Sequence, residues 1–151
     1  PDWWKRLPFD TILTPHPGEM SILTGLSIEE IQSDRWEVSR QYADKWGCVV
    51  VLKGALTVIA SPDGRLAVLP IATPALARAG TGDVLAGLIC GLRAQGVRAF
   101  EAAIAGAWIH GQAGLSACKT HGQPISVLAG DVLSAIPGVL KTMTESKKAG
   151  A

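Results

Sequence analysis

Five consecutive residues, Cys48-Val-Val-Val-Leu52, carry no polar side chain. This run limits the fold more than any other feature of the chain. Side chains along a strand alternate between two faces, so a run that is apolar at every position fits only a sheet covered on both sides. Its β-branched residues favour a strand over a turn of buried helix. At 151 residues, the chain is long enough for one domain with a real core and too short for two.

Helices and strands follow around that run. Thr11-Ile-Leu-Thr14 reads as a short buried strand that stops at Pro15 and Pro17. Ser27-Ile-Glu-Glu30 has the form of a capping box and predicts a helix to about Trp46, ended by Gly47. Two more strands, Thr57–Ser61 and Leu66–Pro70, flank the turn Pro62-Asp63-Gly64. Helices are expected over Gly82–Gln95, Ala99 to about Lys119 and Asp131 to about Glu145, with Pro137 kinking or dividing the last. The order predicts an α/β sandwich, with helices over a largely parallel sheet. The tail 147–151 should fray.

Charge excludes several function classes. The chain holds 14 Lys and Arg against 13 Asp and Glu, which gives no electrostatic footprint for nucleic acid or an anionic membrane. Trp3, Trp4, Trp36, Trp46 and Trp108 show no spacing that suggests base stacking. With 48% hydrophobic residues, the chain is not a disordered segment. The longest uncharged apolar stretch, Val84–Leu92, is far shorter than the roughly 18 residues of a spanning helix. Cys48, Cys90 and Cys118 are far apart, with no metal-binding spacing. They read as buried reduced thiols, so a soluble, cytoplasmic protein is expected.

Three segments can carry chemistry. In Ala79-Gly-Thr-Gly-Asp83, small residues precede an apolar helix. Backbone N–H groups there can approach an anion at the positive end of the helix dipole. Asp83 could take a proton from a hydroxyl attacking a bound phosphate, or it is simply an acid at a helix start. The segment is neither a dinucleotide fingerprint nor a P-loop. Thr14-Pro-His-Pro-Gly-Glu19 lies at the carboxyl end of the first strand, where open α/β sheets bind ligands. Its prolines stiffen a loop that leaves His16 and Glu19 facing a ligand, or it is an ordinary polar turn. Lys53, at the end of the buried strand and followed by Gly54, could meet a nucleotide phosphate or ribose, and in isolation it is equally a solvated lysine.

Other candidates read as structural. Gly87 and Gly91, and the series Gly106, Gly111 and Gly114, suggest close helix–helix contacts. His110 reads as a packed histidine, and His121 has no identifiable partner in the sequence.

Taken in order, "TPHPGEM", "VVLKGALTVI", "AGTGDVLAGLICGLRAQG" and "FEAAIAGAWIHGQAG" resemble the ADP/ATP-dependent NAD(P)H-hydrate dehydratase family, a branch of the ribokinase-like superfamily. The likeness runs from about Ile12 to Leu140. It implies a ribokinase-like αβα sandwich and a lyase that repairs nicotinamide cofactors. Hydrated NADH or NADPH would be phosphorylated on its 6-hydroxyl by ADP or ATP, and phosphate would then be eliminated. By resemblance, Asp83 is the base and a substrate-binding residue, and His16 also binds substrate. Ala79, Gly80, Thr81 and Gly82 match an anion hole, and Lys53, Gly54, Ala55, Leu56 and Thr57 match a nucleotide-binding stretch. Glu19 falls where an indirect magnesium role is implied, so Mg²⁺ is an implied cofactor.

Family members have a longer catalytic domain, whereas only Pro1–Asp10 precede the first strand and its His-Pro-Gly-Glu element here. Residues 1–151 are therefore expected to be a partial domain lacking its N-terminal strands, either a piece of a longer protein or a chain completed by another copy. A homo-oligomer is the expected state, and an NAD(P)H-hydrate epimerase is a possible fused or associated partner. Alternatives are a ribokinase-like kinase for a vitamin precursor or sugar, and a non-catalytic nucleotide-binding fragment.

Overall fold

The computed structural model describes the backbone of residues 2–149 and the side chains through Glu145. The apolar run forms β2 (Val49–Leu52), with all four residues buried. It lies between β1 (Ile12–Leu13) and β3 (Thr57–Ala60), and β4 (Leu66–Leu69) completes a sheet in the order β1-β2-β3-β4. Ile12 pairs with Val49 in parallel, whereas Val51 faces Ile59 and Ile59 faces Ala67 in antiparallel ladders.

The sheet is therefore mixed, not largely parallel. Residues 53–56 and 61–65 are the only links between β2, β3 and β4. Links of that length can only reverse the chain, because a parallel return needs a dozen or more residues. One crossover is long enough, and it carries α1 (Pro17–Thr24), α2 (Ile28–Ser33) and α3 (Arg35–Trp46).

Both faces of β2 are covered, as its sequence requires. Val50 and Leu52 pack with Met20, Ile31, Tyr42 and Trp46 beneath α1–α3. Val49 and Val51 pack with Leu85, Ile89, Phe100 and Ala103 of α4 (Thr81–Ala94) and α5 (Ala99–His121). Each such buried aliphatic side chain contributes about 1.5–3 kcal/mol. α6 (Ala129–Ala149) closes a smaller cluster, with Val132 against Ala113 and Ala117. Among the described residues, no helix is long and apolar enough to cross a membrane.

Several boundaries differ from expectation. The helix predicted from Ser27 to Trp46 breaks at Asp34, where φ −145° leaves the helical region. The Asp34 side chain accepts the Glu37 N–H and starts α3 afresh. Pro15-His16-Pro17 is not a plain loop, since Pro17 opens α1. α6 runs undivided through Pro137 to Ala149. Of the tail expected to fray, Gly150 and Ala151 lie outside the described residues. The thiols are unequally placed: Cys48 is buried, and burial pushes its pKa up to about 11, while Cys90 is exposed and Cys118 intermediate. His121 has a partner after all, since its Nε2 lies 3.3 Å from an Asp131 oxygen.

The glycines also divide. A Cβ at Gly106 would stand 2.5 Å from Ile89 Cγ1, a true contact between α5 and α4. Gly111 instead admits Ile71, in the link before α4, and Gly114 admits Leu76, in the short 3-10 helix Pro74–Leu76. Gly87 and Gly91 have no neighbour within 4 Å of an added Cβ among the described residues, because α4 packs through Leu85 and Ile89 on its other side. Urea unfolding should separate the two classes. Gly87→Ala should stabilise by about 0.5–1 kcal/mol by favouring the helix. Gly106→Ala should destabilise by about 1–3 kcal/mol by overpacking. Equal effects would contradict this packing.

Candidate active site

α1 begins with an unusual cap. His16 precedes Pro17, whose missing N–H costs nothing at the first helical position. The His16 ring accepts the Glu19 N–H at Nδ1 (3.1 Å), and Glu19 Oε2 accepts the His16 N–H at 2.6 Å. This reciprocal box fixes both side chains at the carboxyl end of β1. With Nδ1 used as an acceptor, Nε2 is the donor nitrogen of the ring, and it lies 3.5 Å from Glu19 Oε1 at the edge of the cleft.

Lys53 follows directly on β2. Its N–H donates to the Pro15 carbonyl at 2.8 Å, tying the end of the strand to the His16 cap. Its ammonium lies 3.4 Å from Glu19 Oε2 and would stand 3.2 Å from a Cβ at Gly82. Burial works to raise the Glu19 pKa. The His16 N–H and the charge of Lys53 outweigh it, so the carboxyl stays below its usual range and is ionised at neutral pH.

The glycine-rich segment starts α4. Gly80 is its N-cap at φ +86°, a left-handed conformation natural to glycine. The Thr81 hydroxyl, buried, lies 2.7 Å from the Leu76 carbonyl and 2.8 Å from that of Arg78. Thr81 therefore shapes the segment through its side chain. The Thr81 and Asp83 N–H groups turn back to Arg78 and Gly80. The Gly82 N–H has no protein acceptor among the described residues. Asp83, in the first turn of α4, is exposed.

One cleft of about 700 Å³ is lined by His16, Glu19, Lys53, Gly54, Ala55, Thr57, Ala79, Gly80, Thr81, Gly82 and Asp83. The three sequence segments thus meet at the carboxyl ends of β1 and β2. Leu56, exposed, is not among the lining residues. Ile71, Thr73 and Arg78 also line this wall, outside the three segments that the sequence points to. His110, read as a packed histidine, is buried and also lines the cleft. Burial lowers its pKa against the opposing effect of the Thr81 backbone, and the nearby Lys53 charge lowers it further, so the ring is neutral.

The arrangement suits phosphoryl chemistry: a helix N-terminus and an ammonium for an anion, with carboxylates beside them. No group of three or more His, Cys, Asp or Glu side chains that could hold a metal occurs among the described residues. Magnesium fits such a site nonetheless, because it takes one or two carboxylates together with phosphate oxygens and waters.

Residues 5–138 match the family model described as NAD(P)H-hydrate dehydratase. The chain is 48% identical over 134 residues to the bifunctional NAD(P)H-hydrate repair enzyme Nnr of Moorella thermoacetica, covering 89% of this chain and 25% of that protein. The Bacillus subtilis ADP/ATP-dependent NAD(P)H-hydrate dehydratase, co-crystallised with ATP/Mg²⁺, superposes with a TM-score of 0.83 at 35% identity, over 88% of this chain and 48% of its own. A ribokinase-like superfamily protein of Enterococcus faecalis superposes with a TM-score of 0.76 at 29% identity, over 91% of this chain and 46% of its own. The αβα arrangement is thus ribokinase-like, and the chain spans half or less of the relatives it matches.

Proposed function

Because the chain belongs to the NAD(P)H-hydrate dehydratase family, we propose that its cleft serves the nucleotide-dependent dehydration of hydrated NADH or NADPH. The single observation that carries this reading is the meeting of Glu19, Lys53 and Gly82, three distant points of the chain, around one ammonium. Residues 1–151 act here as part of a larger ribokinase-like catalytic domain.

The proposed reaction has two steps. The 6-hydroxyl oxygen attacks the terminal phosphorus of ADP, its proton passes to the Asp83 carboxylate, and AMP leaves with the bridging oxygen. With ATP the leaving group is ADP. The new phosphoryl ester then departs as inorganic phosphate with the C–O electron pair. A proton lost from the adjacent ring carbon restores the double bond. The Gly82 amide and Lys53 hold the transferring phosphoryl group, Gly54, Ala55 and Thr57 face the rest of the nucleotide, and His16 orients the hydrated cofactor. Glu19, already engaged by His16 and Lys53, would reach magnesium through water. Bound Mg²⁺ would supply charge neutralisation for the phosphates.

Full-length protein given hydrated NADH, ADP and Mg²⁺ should regain the reduced-nicotinamide absorbance, and only when nucleotide is present. No nucleotide-dependent recovery with either ADP or ATP would contradict the reading. Self-association of the 151-residue chain belongs to the same proposal. It is supported by Phe9 and Ile22, 93% and 85% exposed, and by β1, which is paired on one side only among the described residues.

A further inference from the structure

Arg35, the first residue of α3, reaches the 53–56 turn with its guanidinium. Its Nη2 lies 2.9 Å from the Leu52 carbonyl and 3.2 Å from those of Lys53 and Leu56. Nη1 donates to Gln32 Oε1 at 2.7 Å. No carboxylate is paired with the guanidinium among the described ion pairs, and burial lowers its pKa without taking away its charge.

The consequence for the turn follows from peptide geometry. In a trans peptide the carbonyl and N–H point in opposite directions. With the Leu52 carbonyl turned to Arg35, the Lys53 N–H points the other way, and it meets the Pro15 carbonyl at 2.8 Å. With the Lys53 carbonyl also turned to Arg35, the Gly54 N–H is sent away from α3 in the same manner, at a residue that lines the cleft. Gly54 also leaves room for the clamp, since a Cβ there would stand 2.6 Å from Arg35 Nη2 and 2.9 Å from Cζ.

We propose that Arg35 is a positioning residue for nucleotide binding. It holds the carbonyls of the 52–56 turn on its own side, so that the turn presents its amides and Lys53 to an adenine nucleotide. This rests on the reading of Lys53–Thr57 as the nucleotide-facing stretch. A lysine cannot replace the clamp, because one ammonium cannot span the turn and Gln32 together.

The test uses full-length protein carrying Arg35→Met, Arg35→Lys, Gly54→Ala, and Arg35→Met with Gly54→Ala. ADP affinity is read by calorimetry, the KM values for ADP and hydrated NADH by steady-state kinetics, and folding by thermal unfolding. Arg35→Met and Arg35→Lys should each weaken ADP roughly tenfold, the scale of a lost charged hydrogen-bonding group. The KM for hydrated NADH should stay within about twofold, the change ordinary for a site left intact. Gly54→Ala should do the same by displacing the guanidinium, and combining it with Arg35→Met should add little more, since both break one clamp. Unchanged ADP affinity in folded variants overturns the proposal, as does an equal loss of affinity for both substrates. So does full rescue by lysine. If the wild type binds neither ADP nor ATP, the nucleotide reading itself fails and this proposal with it.

Discussion

Asp83→Asn should lower turnover of hydrated NADH by about 10²–10⁴-fold, the range for losing a general base, with the protein still folded and nucleotide still bound. The carboxylate stands in the first turn of α4, exposed and beside the Gly82 amide. An amide there keeps the shape and cannot accept the hydroxyl proton. Stability should change little, because a helix-start acid contributes only about 0.3–1 kcal/mol. Steady-state kinetics beside thermal unfolding separate the two effects. If Asp83 were only a helix-start acid, the variant would lose a little stability and almost no rate.

Lys53→Met should have the next largest effect, about 10²–10³-fold in turnover, comparable to removing one preorganised donor from a charge-stabilising site. Methionine keeps the stem's packing and removes the ammonium that lies between Glu19 and the start of α4. The Glu19 carboxyl should lose one of the causes that hold its pKa down, leaving the His16 N–H against burial. Its folded-state pKa is depressed, so its contribution to stability is present above the ordinary carboxylate range and disappears as pH falls through the lowered value. In Lys53→Met that loss should be smaller and should be complete at higher pH than in the wild type, read from unfolding midpoints across an acid series. A merely solvated lysine would leave both rate and acid profile unchanged.

How much of this was legible depends on whether the signal is local. Val49–Leu52 announced a strand buried on both faces through its composition alone, and the Ser27 cap and the Gly47 stop are likewise written within a few residues. α1 was hidden because histidine stands at the N-cap in place of Ser, Thr, Asp or Asn. The pattern of Pro at the first position and Glu at the third is present, but two prolines flanking His16 equally fit a stiff loop. The break at Asp34 was legible in principle, since Asp34 and Glu37 repeat the cap spacing of Ser27 and Glu30. The antiparallel ladders were implied by short links, yet the α/β pattern outweighed them.

The site divides in the same way. Residue types and segments were visible, because prolines, glycines and a lone lysine at a strand end are unusual there. Their meeting was not, since no spacing along the chain relates Glu19, Lys53 and Gly82. Arg35 acts through backbone carbonyls, which leave no mark on the sequence pattern. His110 was read as packed and is buried, but its place in the cleft wall depends on how α5 lies against α4.

The most direct test of the central claim is the stoichiometry of products from full-length protein, hydrated NADH, ADP and Mg²⁺. The account predicts that AMP, inorganic phosphate and regenerated NADH appear in equal amounts, and that all three fall together in Asp83→Asn. Nucleotide consumption that leaves a stable phosphorylated product, with no NADH returned, would show a kinase and contradict it.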